Sequence, residues 1–473
     1  MIGRGLQPDF SPEAIAELKN ISGAAHKDSR TVRDLRGLLW ASIDNDDSLD
    51  LDQLTMSEKL KDGSVKILVS IADVDALVKK GSAIDGHAQQ NTSTVYTAAQ
   101  IFPMLPEKLS TDLTSLADRQ ERLAIVVEMI VDASGSVTAS DLYRATVLNQ
   151  AKLAYESVAA WLEGRAQAPE ALARVPGMDE QIHTQDAAAQ KMCDLRHERG
   201  SLVLQTLEPR AVFDGDVVVD LKIEKRNRAR QLIEEFMIAA NGAAARFLED
   251  HGFPSIRRIV RSPERWRRIV DVAKENGATL PPQPDSRALQ EFLAKRAKAD
   301  PLRFPDLSLV IVKLMGAGEY VVERPGEPPV GHFGLAVRDY THSTAPNRRF
   351  ADLITQRLLK AAMSGMPVPY DTAELETLAT HCTEKEDDAN KVERQVRKSA
   401  GALLLEPRIG EQFDALVTGA AEKGTWVRTL HPPVEGRLVH GYDGLKIGQK
   451  IRVKLVETDV ERGYIDFVRT GHD

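Results

Sequence analysis

Thiol chemistry is almost absent from this sequence: Cys193 and Cys382 are its only two cysteines, far apart and without a Cys-x-x-Cys neighbour. That excludes a thiolate metal cage and a disulfide framework, and it points to a reducing cytoplasm. Long apolar runs are missing too. The strongest, around Leu123–Val131, carries Glu128 and is too short to span a bilayer, and the N-terminal MIGRGLQPDF has no apolar signal core. A soluble, unexported chain with no membrane partner is expected. Nor is there an excess of positive charge: 62 Lys and Arg stand against 70 Asp and Glu, a net charge of −8. Any nucleic acid must therefore be met by local basic patches. Aromatic residues reach only 5%, and the 31 Gly and 23 Pro are spread thinly over 473 residues, which excludes collagen-like and low-complexity chains. What is present is ordinary globular material, 42% hydrophobic, long enough for about three domains or one large one with appendages.

The first 33 residues are polar, with one short helix expected at Ser11-Pro12-Glu13, where serine can cap and proline takes the first helical position. From Asp34 the pattern is strand, acidic loop, strand. Val65–Ile71 reads as a buried strand, and a β-rich segment continues to about Leu142. Between Val147 and Leu405 the period turns helical, with stripes at Ala154, Val158, Trp161, Leu162 and at Ile233, Phe236, Met237, Ala240, Ala244, Phe247. No fixed-period repeat appears, and the nearest thing to a linker is the turn-rich Arg324–Gly331. After Ile409 five strand-like runs alternate with glycine turns: 413–418, 425–428, 434–438, 450–456 and 463–468. Five is the strand count of an OB barrel, a frequent binder of single-stranded nucleic acid.

Residues 44–53 place five carboxylates in ten positions. Such crowding repels itself unless cations sit in it. Asp50 and Asp52 are two apart, so in extended backbone both side chains share a face, and a bend after Asp44 can return it to them. Hard oxygen donors of this kind suit Mg²⁺ or Mn²⁺. An EF-hand is excluded, because counting from Asp44 its glycine and glutamate positions hold Leu49 and Thr55. Composition alone leaves a solvated acidic loop as open as a cation site.

Two basic runs follow: five basic residues in Lys222–Arg230 and six arginines, with Trp266, in Ser255–Arg268. Both can track a phosphate backbone, although a solvated helix face is favoured for the second. In Thr344-Ala-Pro-Asn-Arg-Arg-Phe-Ala-Asp352, Pro346 is expected to start a helix with Arg348 and Arg349 in its first turn. The helix dipole disfavours arginines there unless an anion is bound, while Arg348 with Asp352 offers an ordinary i, i+4 pair.

Taken in order, several blocks resemble the ribonuclease II (RNB) family of processive 3′→5′ exoribonucleases. They are Asp34-Leu-Arg36 leading into Ser42-Ile-Asp44, Ile71-Ala-Asp-Val74, Phe102-Pro-Met-Leu-Pro106 with Leu109-Ser110 and Ser115-Leu116, Leu232–Asn241, His332-Phe-Gly-Leu335, and Arg348–Arg357. The resemblance implies an α+β fold: a short helical extension (1–33), a mixed α/β RNB catalytic domain (34–404), and a C-terminal five-stranded OB-fold β-barrel (405–473) of the ribosomal-protein type. It implies hydrolysis of single-stranded or 3′-overhang RNA to nucleoside 5′-monophosphates, with Mg²⁺ (or Mn²⁺) held by Asp44, Asp50, Asp52 and Gln53. In the last position the family has a fourth aspartate.

Within that resemblance Asp50, Asp52 and Arg348 are the catalytic residues. Tyr96 is the aromatic base platform, Tyr155 and Glu234 recognise the ribose, and Arg349 and Glu393 complete the substrate contacts. The second base clamp falls on Leu204, so stacking is expected to be one-sided. The 33 residues ahead of the catalytic segment are too few for the family's paired cold-shock domains. A more open RNA entrance, tolerant of structured RNA, is therefore expected. A self-contained channel needs no partner subunit, which makes a monomer the expectation. The rival reading is an RNA-binding protein of the same fold whose chemistry is weakened by Gln53.

Overall fold

Ser11 caps the first helix as its sequence suggests: its side chain accepts from the Ala14 amide at 3.2 Å and opens α1 (Pro12–Lys19). Ala14 is fully buried in the main core, so the N-terminal segment packs onto the body that follows. The computed structural model describes residues 1–473 apart from 27–30, 208, 215–216, 224–225, 422–423, 446 and 471–473. Glu224 and Lys225 of the first basic run lie outside the described residues.

The central sheet is built from β1 (Arg33–Asp34), β2 (Ala41–Asp44), β3 (Gln53–Lys59) and β4 (Val65–Ala72), and after an excursion from three further strands. The excursion comprises α2 (Ala83–Asn91) and a small hairpin of β5 (Val95–Tyr96) and β6 (Ile101–Phe102). Then come β7 (Glu121–Val131), β8 (Val137–Leu148) and β9 (Ala151–Ala154), in the sheet order β1-β8-β7-β4-β3-β2-β9. The sheet is antiparallel except at its rims, where β1 joins β8 and β9 joins β2 in parallel. Strand structure thus runs to Ala154, twelve residues beyond the expected end at Leu142.

Helices α3 (Tyr155–Leu162), α4 (Glu170–Ala173) and α5 (Met178–Glu198) follow, then the hairpin β10 (Pro209–Asp214) and β11 (Val217–Ile223), and the long α6 (Arg228–Asp250). The α6 stripe behaves as its period demands: Ile233, Phe236, Ala240 and Ala244 are buried in the main core, with Met237 and Phe247 packed against it. A fully buried Phe or Ile of this kind contributes about 1.5–3 kcal/mol. Next are β12 (Ser255–Ile259), α7 (Trp266–Glu275), α8 (Ser286–Ala299), α9 (Phe304–Met315) and β13 (Glu319–Glu323), then α10 (Phe350–Met363) and α11 (Thr372–Leu405). Helices α7 to α9 have a small core of their own around Trp266, Ile269, Leu293 and Phe304.

Two sequence expectations fail in this region. The second basic run is neither a solvated face nor a phosphate track at its start, because Ser255–Ile259 is strand β12, paired with β13. Arg257 is 2% exposed and meets Glu323 at 3.2 Å, and Arg258 meets Glu386 at 2.8 Å. Buried guanidinium groups need such partners, which lie 66 and 128 residues away in the chain. Nor is Arg324–Gly331 a linker: Gly326 N–H donates to Glu249, Val330 N–H donates to Glu323, and Arg324 bridges to Glu376.

The last strands, β14 (Gln412–Ala421), β15 (Gly424–Thr429), β16 (Glu435–His440), β17 (Lys450–Asp459) and β18 (Tyr464–Arg469), close a barrel in the order β14-β15-β16-β18-β17. All five lie where the alternation placed them. Gly436 is required for closure, since a Cβ there would fall 2.5 Å from the Phe467 ring. The barrel core of Phe413, Val427, Leu438, Val453 and Phe467 also takes in Ala402 and Leu405 from α11 and Leu221 from β11. No helix among the described residues is long and apolar enough to cross a membrane.

Candidate active site

The acidic loop leaves β2 at Asp44 and re-enters the sheet at Gln53, the first residue of β3. Asp44 ends its strand by accepting from its neighbour's amide, Asn45 N–H, at 2.7 Å and from Ser48 Oγ at 2.9 Å, which supplies the bend. Asp50 accepts from the Tyr96 hydroxyl at 2.9 Å. Asp52 is 1% exposed and accepts from the Asn347 amide at 2.9 Å and from Arg348 Nε at 3.2 Å. Burial pushes the Asp52 carboxyl up to about 7, against the opposing pull of Arg348 and the Asn347 N–H. Gln53 is buried beside it.

The segment carrying Arg348 is a turn, and α10 starts only at Phe350. Arg348 and Arg349 therefore precede the helix, contrary to the first-turn placement expected from Pro346. The reason is that the amides of this segment are used elsewhere. Ser343 N–H donates to Asn241, Ala345 N–H to Asp352, Asn347 N–H to Asp52 and Phe350 N–H to the Thr92 carbonyl. Thr114 Oγ donates to Asn347 Oδ1 at 2.5 Å, locking the fully buried asparagine in place. Asp352 pairs with Arg349 at 2.8 Å rather than with Arg348. This leaves Arg348 free to meet Asp52 with 44% of its side chain exposed. Desolvation opposes its charge, yet Asp52, Tyr96, Asp44 and Asp50 together hold it above its ordinary value; among the described residues Asp52 is the aspartate paired with the guanidinium.

Beside this cluster lies a cavity of about 960 Å³ whose walls include Asp50, Tyr96, Glu234 and Glu393. Glu393 on α11 accepts from the Tyr96 amide at 2.8 Å and so sets the height of that aromatic ring, which is 40% exposed. Tyr155, the first residue of α3, lies under the Arg230 guanidinium at 4.5 Å. Burial, reinforced by Asp44, holds its phenol well above the usual tyrosine range, so it remains a hydrogen-bond donor. Glu234 is bound by Arg226 at 2.6 Å and approached by Arg196 at 3.7 Å. Arg349 does not line the cavity; its side chain belongs to the buried pair with Asp352. Leu204 packs onto the small core of α7 to α9.

Several cavity residues escaped the sequence reading. They are Arg210, Arg397 and the half-exposed Phe213, which line it together with Arg226 and Arg230 of the first basic run, a run that the sequence marks as able to track phosphates. Arg397 sits four residues after Glu393, a spacing that shares one helix face. Phe213 had no signal beyond being a lone aromatic in a hairpin. That hairpin is anchored near its open end, by an Arg210–Asp47 ion pair at 2.9 Å to the acidic loop and by Leu221 in the barrel core.

Comparisons with known proteins agree with this layout. Residues 32–365 match the RNB domain, and residues 411–470 match the RNase II-type exonuclease C-terminal S1 domain. Ribonuclease R of Thermotoga maritima is 30% identical over 98% of this chain and 69% of that protein. Ribonuclease R of Escherichia coli K12 is 30% identical over 92% of this chain and 54% of that protein, so the chain spans little more than half of the latter's length. Mycoplasma genitalium RNase R in complex with ribose methylated single-stranded RNA superposes with a TM-score of 0.88 at 22% identity, covering 99% of this chain and 77% of that one. With aspartates and an arginine meeting beside a basic, aromatic-walled cavity, and with both domains matched in order, the chain belongs to the RNB-domain family, in its RNase II-type form with a C-terminal S1 barrel.

Proposed function

We propose that this chain is a processive 3′→5′ exoribonuclease that hydrolyses single-stranded or 3′-overhang RNA to nucleoside 5′-monophosphates. The observation that carries the reading is the pair of Arg348 with the buried Asp52 at 3.2 Å, two residues from Asp50, which with Tyr96 lines the 960 Å³ cavity. Arg348 is exposed enough to reach a scissile phosphate with two N–H groups, a geometry lysine cannot reproduce. Tyr96 and Phe213 offer faces for base stacking, and Arg210, Arg226, Arg230 and Arg397 offer charge along the strand's path. Time-resolved digestion of end-labelled RNA and DNA, with Mg²⁺ or with EDTA, tests the reading. Successive single-nucleotide loss from RNA alone, stopped by EDTA, is expected. Binding without cleavage would establish the weakened RNA-binding protein instead, and equal cleavage of DNA a general nuclease.

The donor chemistry suits Mg²⁺ or Mn²⁺, with Asp44, Asp50 and Asp52 as the charged oxygens and Gln53 as the neutral one. Among the described residues no three His, Cys, Asp or Glu side chains converge on one point. Mg²⁺ itself uses one or two carboxylates and completes its shell with phosphate and water. When bound, such an ion activates water and neutralises developing charge on the phosphate. Gln53→Asp adds a negative charge at the site, so half-maximal rate should be reached at lower Mg²⁺; an unchanged or higher requirement in that titration counts against Gln53 as a ligand.

Sugar selection is assigned to Tyr155, which lies under the cavity-lining Arg230, and to Glu234, which lines the cavity and is bound by Arg226. The Glu234→Ala, Tyr155→Ala double variant should hydrolyse a deoxy 3′ terminus nearly as readily as RNA, because the 2′-hydroxyl loses its partners. A double variant that rejects the deoxy terminus as strongly as the parent chain removes the assignment.

A further inference from the structure

A second cavity, of about 390 Å³, lies between α5 and α6 and takes no part in the chemistry above. Its walls are one face of each helix: Met192, Leu195, Arg196 and Arg199 recur at i, i+3, i+4 and i+7 on α5, and residues 235, 238, 239, 242 and 246 recur likewise on α6. Arg338 and Asp339, from the loop after the His332–Leu335 turn, close its rim. Gly242 forms part of its wall, where a Cβ would come within 3.3 Å of Arg246 Nη1 and 3.4 Å of the Asp339 carbonyl.

The charges on this groove do not cancel. Arg196 is neutralised by Glu235, at 3.0 Å from its Nε. Among the described residues Arg199, Arg246 and Arg338 have no carboxylate within ion-pair distance. Against them stands Asp339 alone, which leaves two positive charges facing a small-molecule-sized space. Along the same two helix faces part of the wall is apolar, made by Met192, Leu195 and Ile238. A ligand that satisfies both halves carries about two negative charges on one phosphate and a less polar body beside it.

We infer that this groove binds a nucleoside 5′-monophosphate, with the phosphate on Arg199, Arg246 and Arg338 and the nucleoside against Met192, Leu195 and Ile238. The choice of a nucleotide among phosphate monoesters rests on the exoribonuclease reading, in which it is the product. The site is separated from the catalytic cavity by one helix, because Glu234 faces that cavity while its neighbour Glu235 faces the groove, and Arg196 reaches both.

Equilibrium dialysis with adenosine 5′-monophosphate tests this, using the full chain in EDTA with its catalytic cavity filled by excess 2′-O-methyl RNA. Binding should persist under the RNA and weaken by about tenfold or more, a change of about 1.4 kcal/mol, in Arg246→Ala, Arg338→Ala. It should be partly retained in Arg246→Lys, Arg338→Lys, which keeps the charge at two exposed positions. The initial rate of RNA hydrolysis should stay at the parent value in both variants. Unchanged affinity in the alanine variant overturns the site. So does displacement by the RNA, which puts the nucleotide in the catalytic cavity, and inorganic phosphate binding as tightly as the nucleotide removes the nucleoside from the assignment. A chain that binds the nucleotide in this way yet leaves RNA intact would sink the exoribonuclease reading and leave the groove standing.

Discussion

Asp52→Asn is expected to reduce RNA hydrolysis by about 10³-fold or more, equivalent to about 4 kcal/mol in the barrier, while RNA binding stays close to that of the parent chain. The asparagine keeps the shape and the acceptor for the Asn347 amide but deletes the charge that meets Arg348 at 3.2 Å. It should not weaken the fold. Asp52 is 1% exposed and burial pushes its carboxyl up to about 7 against the pull of Arg348, so a neutral amide in its place is tolerated as well or better. Single-turnover rates within about tenfold of the parent, a difference of only about 1.4 kcal/mol, would remove Asp52 from the chemistry. A large loss of thermal stability would show instead that the aspartate is structural.

The second large effect concerns the helix behind the arginine turn. Arg357 on α10 is 5% exposed and donates to Asp75 at 3.1 Å, Asp85 at 2.7 Å, the Tyr370 hydroxyl at 2.8 Å and the Val78 carbonyl at 3.0 Å. Arg357→Met leaves Asp85 buried without its countercharge, which should cost about 3–5 kcal/mol of stability. Urea unfolding followed by fluorescence measures it, with Lys360→Met as comparison. Lys360 holds Asp73 and Asp75, but Asp73 keeps Arg144 at 2.8 Å, so its loss should be milder. A change below about 1 kcal/mol for Arg357→Met, within the reach of ordinary surface substitutions, would show that the network rearranges freely. Because α10 follows the Arg348 turn directly, activity should fall along with stability in the arginine variant.

Elements whose pattern is local were legible in the chain. The capped α1, the buried strand β4, the α6 stripe and the five barrel strands follow from spacing alone, since a period of two or 3.6 states which face is covered without naming what covers it. The aspartates and Arg348 were legible for a different reason, as ordered blocks shared with a family. Where the sequence misled, the deciding partner was always remote. Arg348 and Arg349 left the helix because Asp52, Asp352 and Thr92 took the nearby amides. Arg257 and Arg258 went inside because Glu323 and Glu386 were there to meet them.

By itself, then, the sequence determined that this protein has a β-rich half, a helical half and a terminal barrel, and which carboxylates and arginine to watch, because those properties are written in periodicity and in residue type. Only the tertiary structure decided that Asp52 is the buried member of the acidic loop and that Glu393 supports Tyr96. It likewise decided that Phe213, Arg210 and Arg397 share the catalytic cavity, and that an unneutralised groove lies behind α6. Each of these depends on burial and on ion pairs between residues far apart in the chain, and desolvation, which sets the strength of every such contact, is a property of the folded interior alone.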